Sequence, residues 1–151
     1  MSFQLVIISP KGVYLDKEVE SLTVKLTSGY RTILSHHADL IGALAYAPMH
    51  FVEKGKTYHF AIHGGAISIK ANKVSLIVNA VEAKEEIDIK RAKDAKDRAE
   101  QLLAKKDSDI NIDVKRAELS LLRALARIKT YEEDWYISKF KASLEAFFIK
   151  S

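Results

Sequence analysis

Residues 85–92 read Glu85-Glu86-Ile87-Asp88-Ile89-Lys90-Arg91-Ala92, and residues 112–117 repeat the pattern as Ile112-Asp113-Val114-Lys115-Arg116-Ala117. In both copies an aspartate stands immediately before a stretch of helical periodicity. Its carboxylate accepts from the free amides of a first helical turn, and its charge suits the positive end of the helix dipole. Each copy therefore marks a helix start. After the first, Ala92, Ala95, Ala99, Leu102 and Leu103 recur at spacings of three and four. After the second, the same spacing runs through Val114, Ala117, Leu121, Ala124, Leu125, Ile128, Tyr131 and Trp135, and extends through Phe140, Leu144 and Phe147. Asp107-Ser108-Asp109 interrupts the two. A short polar connection predicts an antiparallel helical hairpin.

Upstream the punctuation changes. All six glycines and both prolines lie before residue 66. Gly and Pro end elements, so the first half is expected to be many short strands. Alternation and β-branching predict strands at Phe3–Ser9, Glu18–Thr27, Thr57–Ile62, Ala66–Lys70 and Val74–Val78, with turns at Pro10-Lys11-Gly12, Ser28-Gly29, His63-Gly64-Gly65 and Ala71-Asn72. This spacing suits a sandwich or barrel. The expected fold is α+β, an N-terminal β-sandwich over residues 1–84 followed by a C-terminal antiparallel α-helical hairpin over residues 85–151.

Composition limits the function. Of 151 residues, 48% are apolar and 29% charged, enough for a core in a water-facing chain. No run of about 18 apolar residues offers a membrane span. The opening Met1–Leu5 reads as strand rather than signal peptide, and there is no cysteine. A cytoplasmic, peripheral location is expected, with membrane association only through a partner. The net charge of +4 is spread: residues 1–84 hold nine basic and six acidic residues, and residues 85–151 hold fifteen and fourteen. Nucleic-acid binding wants a one-signed stripe, so no nucleic-acid partner is expected.

Catalytic motifs are missing as well. No glycine-rich loop ends in Gly-Lys-Ser/Thr, and no His-Glu-x-x-His occurs. His36 and His37 are adjacent and would point to opposite faces of a strand. His59 and His63 are four apart across an expected strand and turn. No metal site and no catalytic residue is predicted.

The hairpin carries two further features. Its expected seam is small, with Ala92, Ala95 and Ala99 against Ala117, Ala124 and Ala126. Small side chains bury little area, so the hairpin should rely on docking and suits an element with two packings; equally, a short hairpin simply tolerates alanine. If the chain folds about residues 107–109, position n faces roughly 216 − n, which brings Arg91 near residue 125 between Arg123 and Arg127. Three guanidiniums that close need an anion or carboxylates. A nucleotide phosphate would serve, with bidentate hydrogen bonds, and Glu82 and Asp88 would offer acceptors to an adenine amine or a ribose. A solvated basic face, or one docked on an acidic partner, accounts for the same residues.

Taken in order, the segments resemble the epsilon subunit family of rotary F-type ATP synthases over roughly residues 3–130. Val6-Ile7-Ile8-Ser9-Pro10-Lys11-Gly12-Val13-Tyr14 is similar to the family's first strand and turn. His63-Gly64-Gly65-Ala66-Ile67-Ser68-Ile69, then Asn72-Lys73-Val74-Ser75-Leu76-Ile77, resembles its Ser-Gly-Gly segment and last strand. Ile87-Asp88-Ile89-Lys90-Arg91-Ala92 matches its Ile/Leu-Asp-x-x-Arg-Ala motif, and Lys115–Leu119 through Arg123–Arg127 its second helix. The resemblance implies a non-catalytic rotor subunit of the central stalk. Its sandwich would bind the gamma subunit and rest on the c-ring. Its hairpin would fold on the sandwich or extend into the catalytic alpha/beta head, where extension inhibits ATP hydrolysis. No cofactor is required, but in some members a regulatory ATP, with or without Mg, holds the hairpin down. The matching positions are Glu82, Ile87, Asp88, Arg91, Ala92, Arg98, Arg123 and Arg127.

Two segments depart from the family. Its ring-contact loop, Gly-Glu-x-Gly-Ile-x-Pro-Gly-His, reads here Gly29-Tyr30-Arg31-Thr32-Ile33-Leu34-Ser35-His36-His37. Tyr30, Arg31 and His37 would stand at the ring, without the acidic residue and the Pro-Gly turn. A specialised F-type ATPase not coupled to the usual proton ring, or a pure structural adaptor without nucleotide, are the alternatives. The tail from Tyr131 is longer than usual, and Trp135, Ile137, Phe140, Leu144 and Phe148 predict a stripe packed on a partner or on the sandwich.

Overall fold

A computed structural model describes the backbone of residues 1–150 and the side chains of residues 1–133. Eight strands come first: β1 (Phe3–Ser9), β2 (Gly12–Val19), β3 (Ser21–Leu26), β4 (Gly29–Leu34), β5 (Leu40–Glu53), β6 (Lys56–Lys70), β7 (Lys73–Val78) and β8 (Val81–Ala83). Their order is β2-β1-β7-β6-β5-β3-β4, with β8 added on β6. Every pairing is antiparallel except β1 with β7.

The sheet closes over itself because β5 and β6 are long, 14 and 15 residues, and paired from Leu40↔Ile69 to Glu53↔Lys56. One half of β6, Gly65–Lys70, pairs with β7; the other, Phe60–Ile62, pairs with β8. The core-facing residues of β6 change parity between the halves, from Phe60 and Ile62 to Ile67 and Ile69. The strand thus passes from one layer of a sandwich to the other. Phe3, Leu5 and Ile7 of β1, Leu22 and Val24 of β3, Met49 and Phe51 of β5, and Val74 and Leu76 of β7 fill the space between.

The turn expected at His63-Gly64-Gly65 is corrected: the two expected strands are one bent strand. Gly64 (φ 74°) and Gly65 (φ 139°) supply the bend. At Gly65 the backbone of β7 comes so close that a Cβ would lie 2.1 Å from the Ile77 carbonyl oxygen. Only glycine fits there. Strands β2, β4, β5 and β8 were not expected from the sequence. Pro48 lies within β5 where the β3 pairing breaks, between Thr23↔His50 and Leu26↔Leu44, and it faces Ala61 on the other side.

A single 3-10 turn at Lys84–Glu86 leads into α1 (Ile89–Ala104), and α2 spans Val114–Lys150. Both aspartates cap as expected: Arg91 N donates to Asp88 Oδ1 (3.1 Å) and Arg116 N to Asp113 Oδ1 (3.0 Å). The connection between the two helices runs from Ala104 to Val114 and contains the expected Asp107-Ser108-Asp109. Helix α2 packs on α1 and also on β5 and β6. The expected alanine seam is therefore divided. Ala124 and Ala126 are both buried, yet two helical residues apart is about 200°, so they serve opposite faces. Neighbouring Thr130 reaches the sheet, with Oγ1 3.5 Å from the Phe60 carbonyl oxygen. Ala126 shares that face, and Ala124 turns to α1. The helix continues through Lys150; the expected packing of Trp135, Ile137, Phe140, Leu144 and Phe148 lies outside the described side chains.

Candidate functional site

The layer between α2 and the sandwich concentrates the chain's buried polar chemistry. Along β6, Phe60 and Ile62 point into the core, so His59, Ala61 and His63 point outward. All three are nevertheless buried, because α2 covers them. Beside them His50 of β5 lies with its ring centroid 5.6 Å from that of His59. Three of the five histidines thus line the face on which the hairpin rests.

Glu82 of β8 joins this face to the helix. Its Oε1 accepts from Arg127 Nε at 2.6 Å and from His63 Nε2 at 2.9 Å. An ionised carboxylate only accepts, so the His63 proton sits on Nε2. Nδ1 of His63 is buried without a hydrogen-bond partner among the described residues. Burial raises the Glu82 pKa, but the hydrogen bonds from Arg127 and His63 outweigh it and hold the carboxyl below its ordinary value. Burial pushes His63 down; the bond to Glu82 opposes this, and the charges of Arg127 and Arg123 add to it. Burial and then His59 lower His50, with Glu133 of α2 acting against them.

The sequence-expected nucleotide residues fall into separate groups. Glu82, Arg123 and Arg127 gather around His63. Ile87 and Ala92 are buried, and Asp88 is engaged as a helix cap. Arg91, Arg98 and Arg123 are exposed, and none makes a side-chain ion pair among the described residues. Arg98 is not with the others: it lines a hollow of about 530 Å³ toward the hairpin tip, with Arg116, Asp109 and Asp113. No group of three His, Asp or Glu suited to a metal occurs among the described residues.

His63 was missed as a site residue because a turn was expected there. Read as one strand, the spacing of His59, Ala61 and His63 would have put both histidines on one face. Of the expected ring-contact residues, Tyr30 and Arg31 are exposed on edge strand β4, and half-buried His37 follows it. The loss of Pro-Gly does not abolish the tight turn. His36 takes the left-handed conformation (φ 63°), and its amide donates to Asn72 Oδ1 at 2.7 Å. No helix among the described residues is long and apolar enough to cross a membrane.

Comparison with known proteins agrees with this architecture. Residues 2–84 match the family described as ATP synthase, Delta/Epsilon chain, beta-sandwich domain. Residues 85–132 match the ATP synthase, Delta/Epsilon chain, long alpha-helix domain. The ATP synthase epsilon chain of Clostridium novyi is 36% identical over 129 residues, which is 85% of this chain and 96% of that one. That of Desulfitobacterium hafniense is 37% identical over 127 residues, 84% and 94% respectively. A chain in the Euglena gracilis mitochondrial ATP synthase OSCP/F1/c-ring structure shares the fold at TM-score 0.73 and 20% identity, over 83% of this chain and 78% of that one. With both domains matched in order and relatives above 30% identity along most of their length, this chain belongs to the delta/epsilon-chain family of ATP synthase, as a non-catalytic accessory subunit.

Proposed function

We propose that the chain is a central-stalk rotor subunit whose hairpin regulates ATP hydrolysis. The sandwich binds the gamma subunit and faces the c-ring through Tyr30, Arg31 and His37. The hairpin alternates between resting on the sandwich and extending toward the catalytic alpha/beta head. The observation that carries this is the contact between hairpin and sandwich: among the described residues it joins small side chains, the Thr130–Phe60 hydrogen bond and the link of Glu82 to His63 and Arg127, an interface that can open without unfolding either part. The chain itself is held at the cytoplasmic face of the membrane through these partners.

A regulatory ATP on the folded hairpin deepens the proposal. Arg91 and Arg123 are exposed without ion-pair partners among the described residues and are suited to phosphate. Glu82 and Arg127 neutralise each other without ligand, so a nucleotide would have to divide them, phosphate to Arg127 and adenine or ribose to Glu82. Ile87, Asp88 and Ala92 would border the base; Arg98 would require a change in the hairpin to join. Calorimetric titration with ATP, with and without Mg, tests this. Saturable binding lost in both Arg91→Ala and Arg123→Ala supports it. No binding at millimolar ATP would assign those arginines to an acidic partner surface.

A further inference from the structure

The buried histidine beneath α2 is not among the proposed nucleotide ligands, and its role rests on the proposal that the hairpin can leave the sandwich. His63 is 1% exposed, closed in by Glu82 from β8, by Arg123 and Arg127 from α2, and by the Tyr46 ring of β5 at 6.1 Å between centroids. Glu82 is the sole acid acting on it among the described residues, and that carboxylate is already shared with Arg127. A second proton on the imidazole would make Nδ1 a buried donor without an acceptor. It would also set a third positive charge beside two guanidiniums with one carboxylate among them. When the hairpin lifts away, Arg123 and Arg127 leave with it, and His63 regains water.

We propose that His63 is a proton-operated release for the helical hairpin, neutral beneath the docked helix and protonated when the helix is away. The direction follows from which state binds the proton better. Docking disfavours the imidazolium, so the released form takes up a proton more readily. Docking is fully favoured above about pH 6.5, the ordinary histidine value. It is lost as pH falls below that value toward the lower one of the docked form. His50 on the same face, between His59 and Glu133, acts in the same direction. Each unit by which docking lowers a histidine pKa corresponds to about a tenfold fall in the docked-to-released ratio. Acidification would therefore release the hairpin. Glu82 titrates below this range, because its carboxyl is held under the ordinary value.

The chain has no cysteine, so a dye pair on Lys70→Cys and Ser108→Cys reports hairpin position in the full-length protein without background. Energy transfer is followed from pH 7.5 to 5.0, while amide exchange in β1 and β7 monitors the sandwich. The expected result is a fall in the docked fraction that tracks the His63 ring titration seen by NMR. In His63→Gln, whose carboxamide can still donate to Glu82, the fall should be shallower and displaced to lower pH. If that variant does not fold, the NMR titration of the unsubstituted chain decides alone. A docked fraction constant to pH 5.0, a His63 that stays neutral while the hairpin releases, or an identical curve in folded His63→Gln would each overturn the proposal.

Discussion

Removing the Glu82 carboxylate should loosen the hairpin more than removing the arginine it binds. A hydrogen bond between charged groups contributes about 1.5–3 kcal/mol. Here the side chains are 25% and 33% exposed, and solvent screening reduces that to about 1–2 kcal/mol. Arg127→Ala should therefore raise the released fraction about 5- to 30-fold, leaving Glu82 bonded to His63. Glu82→Ala loses the same link and also strands His63 Nε2, a buried donor whose desolvation costs about 1–3 kcal/mol more. The assay is native-state amide exchange of residues 123–130 against that of β1 and β7. The double variant should reveal coupling of about 1 kcal/mol between the two sites. Additive effects, with coupling below about 0.3 kcal/mol, would refute the claim that this link holds the hairpin down.

Gly65→Ala should destabilise the sandwich by about 2–4 kcal/mol, since it combines a strained φ with a backbone clash; differential scanning calorimetry should show the melting temperature lower by about 5–15 °C, and an unchanged value would contradict the close approach. Ala126→Leu overpacks the α2–sheet contact by about 1–3 kcal/mol. It should release the hairpin while leaving exchange in β1 and β7 unaltered, and if extension is inhibitory, the assembled complex carrying it should hydrolyse ATP more slowly than the wild type.

The legible parts of the fold were those whose environment differs between two faces. Strands β1, β3 and β7 alternate because one face meets the core and the other does not. Both helix starts could be read because an aspartate cap is local chemistry. Strand β5 was hidden because its middle is buried on both sides: Met49 enters the core, while Ala47 and Pro48 are covered as well. Burial on both faces erases the period of two, and Pro48 argued against a strand. Strands β2 and β4 were hidden for the opposite reason, being edge strands with one fully buried residue each, Val19 and Ile33. The arginines on the hairpin were identifiable from helical spacing. The link from Glu82 to both His63 and Arg127 was not. It joins residues 19 and 45 positions apart through a glycine-bent strand, and local pattern cannot convey that approach.

Work in the stalk of an ATP synthase requires this chain to stay bound to the other subunits of the rotor and head. The direct measurement is to place an affinity tag on the chain in its native cells, isolate the assembly at physiological salt, and determine its composition by mass spectrometry. The expected composition is one copy of the chain with a gamma subunit, the alpha and beta subunits and the c-ring. Recovery of the chain alone, or with partners lacking any gamma subunit, would contradict it.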